Sequence, residues 1–158
     1  MAENRYHRMI KSTIYAIAKQ SKKHRKVCKE RKIPIPHPDI PMTPLMYQPE
    51  IYIVTKNGKK YIFEILDSQA DEPNLIIADI IQSYLVENVA KVFFVAKNNE
   101  EADKTKRFSR IIAGRMEDNG YRGKELAEVN VYVVKKCDLN SKKLLQIFKD
   151  YAKEDRWD

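Results

Sequence analysis

Three carboxylates crowd one short stretch of this chain, PEIYIVTKNGKKYIFEILDSQ at residues 49–69. Glu50 stands at its entrance, Glu64 sits inside an apolar run, and Asp67 closes that run. Around them the residues read as two strands, Ile51–Thr55 and Tyr61–Leu66, rich in Ile, Val, Tyr and Phe as half-buried strands are. Asn57-Gly58 between them is the strongest short-range hairpin signal. An acid within an apolar strand contradicts its local context, and such contradictions gather at functional sites. Grouped carboxylates can hold a divalent cation, and a cation held this way suits hydrolysis of a phosphate ester.

The turn decides which carboxylates can meet. A two-residue Asn57-Gly58 loop pairs Ile51 with Glu64 and sends Glu50 and Glu64 to opposite faces, because side chains alternate along a strand. A three-residue Lys56-Asn57-Gly58 loop, with Gly58 left-handed at a bulge, pairs Glu50 directly with Glu64. The two side chains would then stand about 5 Å apart, destabilising unless a cation lies between them. Both registers are compatible with the sequence. The cofactor expected in the second is Mg²⁺ (or Mn²⁺), which takes one or two carboxylates, keeps waters and collects substrate phosphates.

Pro-Glu-Ile, an apolar strand, a Gly-Lys turn and a second strand ending in Glu-x-x-Asp-x-Gln resembles the core of the PD-(D/E)XK, or RecB-like, nuclease superfamily over roughly residues 36–97. That family carries Pro-Asp at one strand and Asp/Glu-x-Lys on the next, followed by a helix and another strand. The resemblance implies a metal-dependent deoxyribonuclease with Glu50 as first acid and Glu64 as second. Pro38-Asp39-Ile40 is a rival for the first. Glu50 and Glu64, with Asp67 beside them, are the expected metal ligands; Glu87, a carboxylate in a last helical turn where it opposes the dipole, joins Glu64 and Lys60 as the expected catalytic groups. Where the family has its lysine this chain has Leu66, so Lys60, or Lys97 from the next strand, is expected to replace it. The alternative is a DNA-binding protein that keeps the nuclease-like fold without catalysis. Gln82 and Tyr84 weakly resemble the Gln/Tyr helix of RecB-like nucleases. The Lys-, Ile- and Tyr-rich composition is also similar to that of small virus-encoded proteins of hot-spring archaea, among them a filamentous-virus nuclease.

At 158 residues, 43% of them hydrophobic, the chain suits one domain with its own core. It has no apolar run long enough to span a membrane and no apolar leader at its start. Cys28 and Cys137 cannot make a disulfide framework and His7, His24 and His37 are scattered, so a reducing, intracellular setting (the cytoplasm of a host cell) is expected and a zinc site is not. The net charge of +8 is unevenly placed. Residues 1–32 hold eleven Lys and Arg against two Glu, whereas the other 126 residues carry 19 basic and 20 acidic side chains. Such asymmetry points to a polyanion, with DNA as the expected partner through counterion release. The candidate DNA contacts are Lys19, Lys22, Lys23, Arg25, Lys26 and Lys29, with Arg107 and Arg110 on a second basic surface. A homodimer is compatible with the sequence.

These residues must be positioned by a predicted α/β fold. A long basic helix over Asn4–Lys32 carries Met9, Ile10, Ile14, Ile17 and Ala18 as its apolar stripe. A Pro-rich strap over 33–49 follows, extended because Pro-x-Pro forbids helix, and then the hairpin. A helix starting at Asp71-Glu72-Pro73 runs to about Asn88, with Asp79, Ser83 and Glu87 as one polar stripe. Lys91–Ala96 is a central strand, and a helix from Glu100 to Asn119-Gly120 buries Phe108, Ile111, Ile112 and Met116. Val129–Val134 is the fourth strand. Asp138 or Ser141 caps a last helix. A right-handed crossover after the hairpin gives a mixed four-stranded sheet flanked by helices in one domain.

Overall fold

The computed structural model describes residues 4–35, 45–66, 73–86, 88–120 and 126–158. Its centre is a mixed five-stranded sheet of β1 (His24–Lys29), β4 (Ile51–Thr55), β5 (Lys60–Ile65), β6 (Val89–Ala96) and β7 (Glu128–Val133), in that spatial order. β1 pairs antiparallel with β4 and β4 antiparallel with β5, and β6 and β7 are then added in parallel to β5. The two parallel steps are made through α2 (Pro73–Leu85) and α3 (Asn99–Asp118), as parallel strands require a crossover. β2 (Ile33–Ile35) and β3 (Leu45–Tyr47) form a separate two-stranded ribbon.

Alternation along the strands splits the core into two layers. Ile51, Ile53, Phe63, Phe93, Val95 and Tyr132 point to one face, where α1 (Arg5–Gln20) and α4 (Ser141–Glu154) pack with Ile10, Ile14, Leu144, Phe148 and Trp157. Tyr52, Val54, Ile62, Val92 and Phe94 point to the other, under α2, α3 and the β2–β3 ribbon. β6 is buried on both faces, which explains its unbroken apolar run.

The first helix is shorter than its charge pattern predicts. α1 ends at Gln20, Ser21 is extended, and residues 24–29 form an edge strand instead of the second half of a helix. The apolar stripe that makes α1 helical stops at Ala18. Beyond it only Val27 is buried, and the outer side of β4 offers backbone hydrogen bonds that β1 satisfies. The sheet therefore gains a fifth strand, and of the basic residues from Lys19 to Lys29 only Lys19 remains helical.

The hairpin adopts the three-residue loop. Ile51 pairs with Phe63 and Val54 with Lys60; Glu50, just before this ladder, donates its N–H to Glu64 Oε1 while its carboxylate turns to His7 and Lys11 of α1. Thr55 N–H donates to Lys59 O at 2.8 Å, and Gly58 takes φ +86°, a left-handed conformation that glycine adopts without Cβ strain.

Other elements depart from expectation in smaller ways. The strap pairs with itself through Ile33↔Tyr47 and Ile35↔Leu45, since Pro34 in β2 limits the ladder it can join. On α2, Ser83 is fully buried and Asp79 half-buried while Ile81 is exposed, so the polar stripe faces inward. On α3, Ile111 is 55% exposed and Ala102, Thr105 and Ser109 are buried, a rotation from the expected apolar face. Asn140, not Asp138 or Ser141, caps α4 by accepting from Lys142 N and Lys143 N. Among the described residues no helix is long and apolar enough to cross a membrane.

Candidate functional site

The acids meet where β4 begins. Glu64 is 6% exposed on the face of β5 covered by α2 and the ribbon. Its Oε1 accepts from the Tyr47 hydroxyl at 2.7 Å and from the Glu50 N–H at 3.3 Å. Burial, then the nearby Asp79 and Glu50 carboxylates, push the Glu64 carboxyl well above the ordinary range, although the Tyr47 bond works the other way. Asp79 on α2 is raised to about 6, by burial first and then by the Glu50 charge. Burial and the Glu64 charge likewise hold Tyr47 in its phenol form.

Glu50 is the charged member. Burial disfavours its ionisation, but hydrogen bonds and charge from α1 outweigh burial and hold it below the usual carboxylate range. His7 Nε2 lies 2.7 Å from one of its oxygens and Lys11 Nζ lies 3.2 Å from the other. Lys11 is itself 6% exposed and bonds Glu30 Oε1 at 2.7 Å. A lysine is rarely buried unless paired, and Lys11 stands on the apolar face of α1 beside Ile10 and Ile14.

The structure thus brings Glu50 and Glu64 together and adds Asp79, Tyr47, His7 and Lys11, which the sequence reading did not assign to the site. Lys11 had a signal, a lysine inside an apolar stripe. Asp79 lies in the polar stripe of α2, whose i, i+4 spacing does not say which way the stripe faces. Lys60 is separated from Glu64 by four residues of β5, about 13 Å of strand, and does not join the cluster. Lys97 is turned to α3, its N–H donating to Glu101 Oε1 at 3.1 Å. Asp67, Glu87 and Pro38-Asp39-Ile40 lie outside the described residues. Among the described residues no three His, Cys, Asp or Glu groups form a ready metal cage.

The expected DNA contacts separate into distinct places. Lys19 and Lys29 lie over the Tyr15 ring, at 5.6 and 4.4 Å from its centroid. Arg25 and Lys26 lie along the edge strand β1, and Lys22 and Lys23 occupy the turn before it. Arg107 and Arg110 are exposed on α3, across the sheet from α1. Arg110 also lines a cleft of about 620 Å³ beside β7, bordered by Tyr132 and Asp155 and lined by none of Glu50, Glu64 and Asp79. Compared with protein-family models, curated proteins and solved structures, the chain gives no match.

Proposed function

We propose that this protein hydrolyses DNA phosphodiester bonds with a divalent cation at the Glu50–Glu64–Asp79 cluster. The observation that carries the reading is the meeting of three acids at the foot of the hairpin, where the Glu50 N–H donates to Glu64 Oε1 at 3.3 Å and the charges of Glu50 and Asp79 reach the Glu64 carboxyl. The order of antiparallel hairpin, helix and parallel strand agrees with the nuclease core that the sequence resembles. The charges of Asp79 and Glu50 raise the proton affinity of Glu64, and that of Glu50 raises Asp79, a repulsion that a cation would relieve.

The donor set consists of carboxylate oxygens, and these suit Mg²⁺, which needs only one or two of them and fills its remaining positions with water and phosphate oxygens. Glu50 would hold it, with Glu64 or Asp79 as the second ligand. When bound, such an ion activates water and neutralises charge on the phosphate. Tyr47 orients Glu64 through its hydroxyl. Lys11 is the cation placed beside the acids and takes the part that Leu66 cannot. His7 keeps Glu50 ionised.

The second reading, a DNA-binding protein without catalysis, is favoured by one observation: both oxygens of Glu50 are already held by His7 and Lys11. Incubation of linear and circular duplex DNA with Mg²⁺ or EDTA separates the two. Cleavage is expected in Mg²⁺ alone and is lost in Glu50→Gln and Glu64→Gln while binding persists. No cleavage in Mg²⁺ or Mn²⁺ by a protein that still binds DNA would leave the second reading.

A further inference from the structure

At the end of the hairpin opposite the acids, three separate segments place cations around one cleft of about 340 Å³. Lys22 and Lys23 come from the α1–β1 turn, Lys56 and Lys59 from the hairpin tip, and Arg156 from the residues after α4. Among the described residues Asp158 is the one acidic residue on its wall. Lys22 and Lys23 also line an adjoining groove, where Lys149 and Lys153 add two more cations against Asp150 and Asp158. Lys22, Lys23, Lys56, Lys59 and Arg156 are exposed, and none forms an ion pair with a described residue.

The backbone that presents them is fixed by bonds that do not use these charges. Lys56 N–H donates to Lys23 O at 2.8 Å, tying the hairpin tip to the turn. The His24 ring donates through Nδ1 to Ala18 O at 2.8 Å, tying that turn to α1. Arg156 takes φ +58° immediately before Trp157, which is fully buried and whose N–H donates to Ala152 O at 3.0 Å. Like charges are thus gathered on rigid supports with no ion pair to a described residue, and a chain of phosphates supplies counter-charge in series.

We propose that this tip cleft grips the phosphate backbone of a nucleic acid, with Lys22, Lys56 and Arg156 as its three converging contacts. The five residues of β4 set the cleft about 17 Å from the acids. That span is about five nucleotides at 3.4 Å each along one strand, so the cleft holds the backbone beside the acid cluster and not the phosphate at it. The inference shares only its ligand with the nuclease reading, and binding in EDTA measures it without cleavage.

The test is a salt titration of binding to a labelled duplex in EDTA, comparing wild type, K22A/K56A/R156A, and the charge-matched control K135A/K136A/K142A. The tip variant is expected to lose more than 10-fold in affinity, with the salt slope flatter by about 2 to 3 for three lost contacts, and the control to stay near wild type. Equal affinity and slope in the two variants would overturn the proposal. In the wild-type protein, the amide resonances of Lys22–His24 and Lys56–Lys59 should shift on saturation with duplex. Unmoved resonances there would overturn it independently of any variant.

Discussion

The two ends of the β4–β5 hairpin handle charge in opposite ways. At the acid end, ionisable groups are taken from water and bonded to one another: Glu64 to Tyr47, Glu50 to His7 and Lys11, with Asp79 close enough to be perturbed. At the tip, five cations stay exposed and share no ion pair with a described residue. Buried, mutually perturbed groups are costly and shift protonation, as chemistry at a fixed point demands. Exposed cations of one sign cost little to the fold and respond to salt, as binding to an extended polyanion demands. One strand length separates the two behaviours.

The largest effect should come from the support beneath the tip. Trp157→Ala removes a fully buried ring that stacks edge-on to Phe63 at 4.9 Å, and a loss of about 3–5 kcal/mol is expected in denaturant unfolding. Because Trp157 also positions Arg156, DNA binding should weaken in this variant under conditions where it remains folded. Retained affinity would break the link between the packed layer and the tip.

Asp79→Asn acts in the other direction and sharpens the acid end. A folded-state pKa of about 6 against an ordinary 3.8 means that Asp79 contributes stability below its unfolded value and loses that contribution as pH rises through 6. The wild type should therefore be penalised at pH 7.5 by up to about 3 kcal/mol from this group. The Asn variant should be the more stable protein there, with the difference shrinking toward pH 4. Melts at pH 4.5 and 7.5 check both sign and size. Glu64→Gln should likewise flatten the pH dependence while keeping an acceptor for Tyr47.

Tyr47→Phe strips the buried Glu64 of a hydrogen bond and should cost about 1–3 kcal/mol. The tip variant K22A/K56A/R156A should change stability by less than about 0.5 kcal/mol, as exposed substitutions do. A large loss of stability at the tip and none at Tyr47 would invert the comparison.

Much of this arrangement was legible in the sequence, and what was not has physical causes. Asn57-Gly58 located the hairpin, and its apolar flanks located β4 and β5, but the choice of register depends on Gly58 taking a left-handed bulge, which the residues allow without requiring. The strand β1 was hidden because Lys and Arg are good helix formers and only Val27 marks a buried strand position. Asp79 and Tyr47 act on Glu64 from across the fold, one by its charge from α2 and one by a hydrogen bond from the strap, and neither link is a local pattern in the sequence. Lys11 did leave one, a charge on the buried face of α1.

The central claim is that the acid end is a cation site kept partly protonated in the cation's absence. Calorimetric titration with Mg²⁺ at pH 6, in two buffers of different ionisation enthalpy, tests it most directly. Binding should expel on the order of one proton per ion from Glu64 and Asp79, and the proton release should vanish in a Glu64→Gln/Asp79→Asn variant. No binding at millimolar Mg²⁺, or binding that releases no proton, would contradict the claim.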